Sequence, residues 1–360
     1  MKRTAVMLCL LMVFSVFAIA QNTTSTITGV TSDSDDILPG AVVKVTEVES
    51  GVTYSAISNQ KGQFRITGLT PGGPYRLEVS YVGYKKSVID IKRISLGEVY
   101  SCDVNLTAGN ELQEVIVKGQ AAALRKTGSS ENISSEDIDN KATIDRSLQD
   151  ILAMSPYYIG SGSFGGRDGG MNNYSVDGAN FNANMGLDRE NMPGAGTPFA
   201  LEALEDIQIV NSAFDVKNSN FMGATINAVT KKGTNTFRGS AYHFYKDENL
   251  RGNRVDGEEL SSPRGDIKRT IYGLTLGGPI IKDKLFFFVS AELENTPLQL
   301  HQWQASKDGV EDGKNLISRV TESDMKQFAS DLQSMYGWNP GSYNDFTGDN
   351  KFFRLMTRID

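Results

Sequence analysis

One stretch of strict polarity alternation constrains this chain more than anything else in it. In Lys284-Leu-Phe-Phe-Phe-Val-Ser-Ala-Glu-Leu-Glu294, Leu285, Phe287, Val289, Ala291 and Leu293 form a wholly apolar face, and Phe286, Phe288, Ser290, Glu292 and Glu294 form a mixed one. Successive side chains of a strand point to opposite faces, so this is a β-strand with one face in an apolar medium. The residues from Lys351 to Asp360 repeat the pattern, setting Phe353, Leu355 and Ile359 against Arg354, Arg358 and Asp360. About ten residues of apolar-out, polar-in alternation is what a tilted membrane-spanning strand requires.

The N-terminus says where such strands belong. Met1-Lys-Arg3 is basic, Ala5 to Phe17 is apolar, and Ala18-Ile19-Ala20 has the small-x-small form of a cleavage site. Residues 1–20 therefore read as a secretory signal peptide. The apolar run is shorter than the ~20 residues of a spanning helix, and no other stretch approaches that length, so a membrane role falls to strands. Cys9 lies in the middle of the run, which argues against a lipoprotein anchor.

Composition narrows the function classes. Without Lys2 and Arg3 the 36 basic residues fall to 34 against 43 acidic ones, a mature net charge of −9. Such a chain is a poor nucleic-acid binder. After processing Cys102 is the one cysteine left, so neither an intramolecular disulfide nor a cysteine zinc site can form. His243 and His301 are far apart and no metal site is expected. Gly160-x-Gly162-x-x-Gly165 has dinucleotide-fingerprint spacing, but more glycine follows where a helix should start, so no helix N-terminus awaits a pyrophosphate. Glu136 and Asp137 read as ordinary helix-start carboxylates, and no nucleophile, base and orienter occur together. No catalytic residue and no cofactor are expected, and the chain does not read as an enzyme.

The fold class is mainly β. Residues 21–107 carry seven short runs rich in Val, Ile, Thr and Tyr, from Thr26–Val30 to Cys102–Leu106, separated by Gly, Pro, Asn and Asp, which predicts a seven-stranded β-sandwich. Residues 108–135 are linker-like, with one β-prone island at Leu112-Gln-Glu-Val-Ile-Val-Lys118. That island either pairs with a neighbouring sheet edge or is offered to a partner by strand addition, and periodicity does not choose. Residues 136–235 read as α+β, with a helix around Asp145–Met154 ending before Pro156 and strands at Tyr174, Ile207–Val210 and Ala224–Thr230. Residues 236–360 read as strands near 236–246, 267–277, 284–294 and 351–360. The connections between them are long, short and long, and the long ones, 247–266 and 295–350, are polar.

Two resemblances build on this reading. Leu38-Pro-Gly-Ala-Val-Val43, Asn59-Gln-Lys-Gly-Gln-Phe-Arg-Ile66 and Tyr75-Arg-Leu-Glu-Val79 through Gly83-Tyr84 make residues 21–107 similar to a carboxypeptidase regulatory-like domain, a carbohydrate-binding-like fold. The mature chain as a whole resembles the N-terminal part of a TonB-dependent outer-membrane receptor of the Oar-like type. Its carriers are Leu112–Gly119, Ser147-Leu-Gln-Asp-Ile-Leu152 with Ser155-Pro156, Asn172-Asn-Tyr-Ser-Val-Asp-Gly-Ala179, Gly223–Asn235 and Gly277–Phe288.

The resemblance implies a plug domain over 136–235, the start of an outer-membrane β-barrel over 236–360 and the N-terminal domain in the periplasm. It implies import of a nutrient ligand, with TonB and its inner-membrane energising complex as partners and outer-membrane lipid around the barrel. Leu112, Glu114, Val115, Ile116 and Val117 would form the TonB-coupling segment. Phe181, Asn182, Asn184, Met185 and Arg189 are candidates for a substrate-facing plug loop, since a stretch mixing Asn with Phe and Met has no evident core role. Two alternatives stay open: a SusC-like glycan or peptide importer with a surface lipoprotein, and a surface protein that binds glycan or matrix without transport. Plugged transporters have about 22 strands. Four cannot close a barrel without leaving edge groups unpaired in lipid, so the chain is expected to be an N-terminal fragment.

Overall fold

A computed structural model describes residues 23–33, 36–109, 115–118, 128–143, 145–182, 198–213, 218, 221–247, 250, 252, 254–259, 268–299, 303–313, 316–341, 343 and 347–360. The chain divides into two compact units, one made of Met1–Gly239, Thr275–Ser290 and Met356–Asp360, the other of Ser240–Leu274 and Ala291–Leu355.

The first unit opens with strands β1 (Ser25–Ser32), β2 (Val42–Glu47), β3 (Thr53–Ile57), β4 (Gln63–Leu69), β5 (Tyr75–Ser80), β6 (Ser87–Ile91), β7 (Val99–Ser101), β8 (Val104–Asn105) and β9 (Val115–Lys118). They form two sheets: β4-β1-β7, with β8 also on β1, and β3-β2-β5-β6-β9. Period-two alternation sets their faces; β5, for example, buries Tyr75, Leu77 and Val79 and turns Arg76 and Ser80 outward. Ile27, Phe64 and Ile66 from one sheet and Val43, Leu77 and Ile89 from the other share a single core. The last run anticipated from sequence, Cys102–Leu106, shortens to β8 and is preceded by a strand not anticipated, β7; both lie parallel to β1. Cys102 sits buried between them, and burial pushes its thiol up to about 11, so it is a packing residue.

The rest of this unit is built on β10 (Gly128–Ser134), the hairpin β11 (Tyr158–Gly160) and β12 (Ser163–Phe164), β13 (Asn173–Val176), β14 (Ala179–Asn180), β15 (Leu204–Ala213) and β16 (Thr225–Thr230). Five of these make a sheet of order β10-β15-β16-β13-β14. The sheet starts at Gly128, inside the stretch read as linker, because β10 contributes one core residue, Ile133, and is otherwise held by its backbone ladder to β15. Every residue of the central strand β16 is buried. Two short helices follow from reciprocal caps: Ser134 with Asp137 starts Ser135–Asn140, and Ser147 with Asp150 starts Leu148–Leu152. The second is shorter than the Asp145–Met154 expected, and Leu148, Ile151 and Leu152 bury its apolar stripe in the core around Ile207, Ile209 and Ile226.

The remaining strands are β17 (Arg238–Lys246), the hairpin β18 (Arg254–Val255) and β19 (Glu258–Glu259), β20 (Arg269–Ile281), β21 (Leu285–Gln299), β22 (Gln304–Ser306), β23 (Ile317–Thr321) and β24 (Thr347–Ile359). The long ones form a meander, β17-β20-β21-β24. At 13, 15 and 13 residues, β20, β21 and β24 are long enough to cross a bilayer at a tilt. Their outward positions are apolar and exposed, including Tyr272, Leu274 and Leu276 on β20, Leu293 on β21 and Phe353, Leu355 and Ile359 on β24. Phe286, Phe288, Ser290, Glu292 and Glu294 on the opposite face of β21 are all buried. No helix among the described residues is long and apolar enough to cross a membrane.

The 295–350 stretch is more ordered than a polar connection. It holds the parallel pair β22–β23 and a helix, Glu322–Tyr336, started by a Thr321–Asp324 capping box and closed by Gly337 in the left-handed conformation. That start and stop pair was present in the sequence.

Candidate functional site

The TonB-coupling candidates divide between the described and undescribed residues. Leu112 and Glu114 lie outside the described residues, while Val115, Ile116 and Val117 form β9 with Lys118. Of the two readings left open by periodicity, the structure takes pairing: β9 lies parallel to β6, with Ser87 opposite Val115 and Asp90 opposite Lys118. It is the edge strand of the five-stranded sheet.

Just beyond β6, Arg93 reaches β15. Its Nη1 donates to Glu205 Oε1 at 2.9 Å, and its Nη2 donates to the Glu205 carbonyl at 2.7 Å and to Asp206 Oδ2 at 3.1 Å. Burial works against the guanidinium's charge, but the two carboxylates outweigh it and its pKa is raised. Asp206 is fully buried, and burial lifts its carboxyl above the usual range although Asn132 and Arg93 both bond to it. Asn132 and Gln208 each donate to the Leu96 carbonyl, at 2.9 and 2.8 Å. Arg93 and four polar side chains of the sheet, Asn132, Glu205, Asp206 and Gln208, thus join the 92–97 loop to the 128–230 sheet.

A second junction is built by Lys231-Lys-Gly-Thr-Asn235, directly after β16. Lys232 donates to Glu47 Oε2 at 2.5 Å and to Thr70 Oγ1 at 2.7 Å, and Glu47 is buried. Gly233 comes so close to β20 and β21 that a Cβ there would lie 2.4 Å from the Phe287 carbonyl and 2.8 Å from that of Gly278. Asn235 donates to the Ser50 carbonyl at 2.9 Å and to Asp283 Oδ1 at 2.7 Å. A motif noted in sequence only as a resemblance is therefore a three-way contact, and each residue's chemistry accounts for its place.

Asp177 has a comparable part. It accepts from Thr230 N at 3.0 Å and Thr230 Oγ1 at 2.5 Å, and Arg358 of β24 donates to the Thr230 carbonyl at 2.8 Å. Nearby, Phe288 and Met356 pack on Ala200 and Ala203.

The substrate-loop candidates fare differently. Phe181 packs edge-on to Phe199, with ring centroids 6.5 Å apart, against the core of the 128–230 sheet. Asn182 accepts from Tyr174 N at 2.8 Å and donates to Asn173 Oδ1 at 2.7 Å. Both have structural partners, so for these two residues the expectation of no core role is corrected. Asn184, Met185 and Arg189 lie outside the described residues.

In the second unit the inward face of the wall is ionic. Arg354 donates to Glu292 at 2.8 Å and to Glu294 at 2.6 Å, Arg269 pairs with Glu294 at 2.8 Å, and Tyr242 Oη donates to Glu292 at 3.0 Å. Charges are paired on one face while the other face is apolar, as lumenal and lipid faces of a barrel wall require. The same unit has a pocket of about 290 Å³ between β22, β23 and the Glu322–Tyr336 helix, walled by Trp303, Val320, Met325, Phe328, Pro340 and Tyr343. Among the described residues no group of His, Cys, Asp and Glu could hold a metal ion.

The carboxypeptidase regulatory-like domain family matches residues 26–107, and the outer membrane beta barrel domain family matches residues 229–301. All of the chain aligns, at 25% identity, with the TonB-dependent transporter Oar of Myxococcus xanthus. The chain is homologous to that TonB-dependent transporter. It spans about a third of the relative's length, 34%. The β-barrel match and this homology put the protein in the outer membrane. Two solved structures are also similar in part. They are the siderophore receptor PirA from Acinetobacter baumannii (20% identity, 46% of this chain and 24% of that one, TM-score 0.36) and the outer membrane transporter YddB from Escherichia coli (17%, 51% and 28%, TM-score 0.39).

Proposed function

We propose that the protein is the N-terminal part of an outer-membrane importer energised by TonB, with residues 128–235 as its plug and β9 as the strand that TonB takes hold of. The observation that carries this reading is the end-to-end alignment with a TonB-dependent transporter. The wall strands support it, with a lipid-compatible face and a paired-charge face. So does the three-way contact at Lys231–Asn235, which would join the plug to the first barrel strands and to the N-terminal domain. In this reading the ligand is a nutrient met on the outer side, with Asn184, Met185 and Arg189 as the residues proposed to recognise it. TonB, adding its own edge to β9 by main-chain hydrogen bonds, would pull the plug and let the ligand through.

The test is a proline at the centre of the strand. Proline removes a donor and fixes φ, whereas valine keeps the backbone and β-branching. Ile116→Pro should abolish crosslinking to TonB in cells while the protein still reaches the outer membrane, and Ile116→Val should crosslink as the parent does. Normal crosslinking by the proline variant would remove β9 from the mechanism.

A further inference from the structure

The connection between β21 and β24 encloses a pocket that packing leaves open. Its walls come from β22, β23, the Glu322–Tyr336 helix and the segment after that helix, and its volume is about 290 Å³. Met325, Phe328 and Ala329 line it from the helix, yet none of the 15 helix residues is buried, so these apolar side chains face open space and not a closed core. The volume is at the small end of the range for ligand pockets, which suits a small molecule.

The lining decides what such a molecule can be. Trp303, Phe328 and Tyr343 supply three rings, and Val320, Met325 and Pro340 supply aliphatic and thioether surface. Among the described residues no charged side chain lines the pocket. Arg319, between Ser318 and Val320, belongs to the other face of β23 and pairs with Glu311 at 2.9 Å. An anion would lose its hydration here and gain no counter-charge. The lining's side-chain hydrogen-bonding atoms are those of Trp303, Ser318 and Tyr343, too few to pair every hydroxyl of a sugar. An uncharged ring, in contrast, packs edge or face on other rings and against methionine sulfur. Water between these walls finds few of the roughly two to four polar partners it needs, so its release favours the ring.

We infer that this pocket binds a small uncharged aromatic molecule, and that such molecules are the class of nutrient the importer takes from the medium. The inference rests on the proposed import. Outer-membrane barrels have short periplasmic turns and long outer loops. Lys282-Asp283-Lys284 is all that joins β20 to β21, whereas the pocket belongs to the long connection after β21, on the side where a ligand would arrive.

The experiment uses the complete protein in lipid nanodiscs, because detergent would compete for an apolar pocket. Indole and para-cresol are the probes, followed by saturation-transfer NMR against empty nanodiscs, with glucose and benzoate as the polyol and anion controls. Val320→Asp puts a charge in the wall and Phe328→Ala removes a ring; both side chains are about half exposed, at 46% and 56%, so neither change removes a core contact. Ser318→Ala removes a hydroxyl that a ring does not need. The two neutral rings should bind saturably and the two controls should not. Val320→Asp and Phe328→Ala should each weaken ring binding by about tenfold or more, and Ser318→Ala should bind as the parent does. Parental binding by both Val320→Asp and Phe328→Ala, or saturable binding of glucose or benzoate without the rings, would overturn the site. Binding in nanodiscs needs no TonB, which separates the two readings. Saturable ring binding with uptake that ignores the loss of TonB sinks the import reading, whereas TonB-dependent uptake with no ring binding sinks this inference alone.

Discussion

Lys232 and Glu47 show how a single side chain can carry a junction. Glu47 is buried with Ser50 and Lys232 as its partners, at 2.6 and 2.5 Å. Removing one member of a buried pair strands the other's charge, at a cost of about 3–5 kcal/mol. Lys232→Ala should destabilise by that order in calorimetry of the purified protein, and adding Glu47→Gln should recover much of the loss. Arg93 makes a second case, in which pH gives the sign. Asp206 already has its carboxyl raised by burial, and deleting the guanidinium would raise it further. A carboxyl raised in the folded state contributes its stability in full below the unfolded value of about 3.9 and loses it as pH rises through the folded value. Arg93→Ala should therefore lower the melting temperature more at pH 8 than at pH 5. An equal drop at both would mean that Asp206 does not depend on Arg93.

At the scale of elements, the wall strands make the sharpest claim. Val289 is on the apolar face of β21, so Val289→Arg should cost about 2–4 kcal/mol if it lies near the bilayer midplane, measured by folding into lipid vesicles and heat-modifiable gel mobility. Val289→Leu should be neutral. Tolerance of the arginine would contradict the facing of the strand. This facing was legible in the sequence because a period of two, carried by Leu, Phe and Val against Glu and Ser, has no other physical reading. So was the Ser147–Asp150 cap region, through its apolar stripe. Other elements were not legible. Strand β10, Gly-Ser-Ser-Glu-Asn-Ile-Ser134, buries one apolar side chain and is specified by the backbone ladder of its neighbour. The Glu322–Tyr336 helix is different: Met325, Phe328, Leu332 and Met335 recur at helical spacing behind the Thr321–Asp324 capping pair, so it was legible and simply not read. The roles of Arg93, Asp177 and Lys232 were hidden for a different reason. Each partners residues more than fifty positions away, or across a turn no local pattern predicts.

For the whole molecule, the proposal of energised import rests on the homology and on the two faces of the wall. The first unit supplies the parts that would act in the periplasm and the lumen under that proposal: a regulatory-like domain with its own core, a mixed sheet, and β9, the proposed coupling strand. Uptake tests this claim most directly. Cells with the complete protein, cells lacking it, cells lacking TonB and cells carrying Ile116→Pro are grown in one complex medium, and depletion of its components is followed by mass spectrometry. At least one nutrient is expected that parental cells consume and the other three leave behind. If depletion is the same in parental cells and in cells lacking the protein, or if Ile116→Pro restores it in full, the protein does not work as a TonB-driven importer.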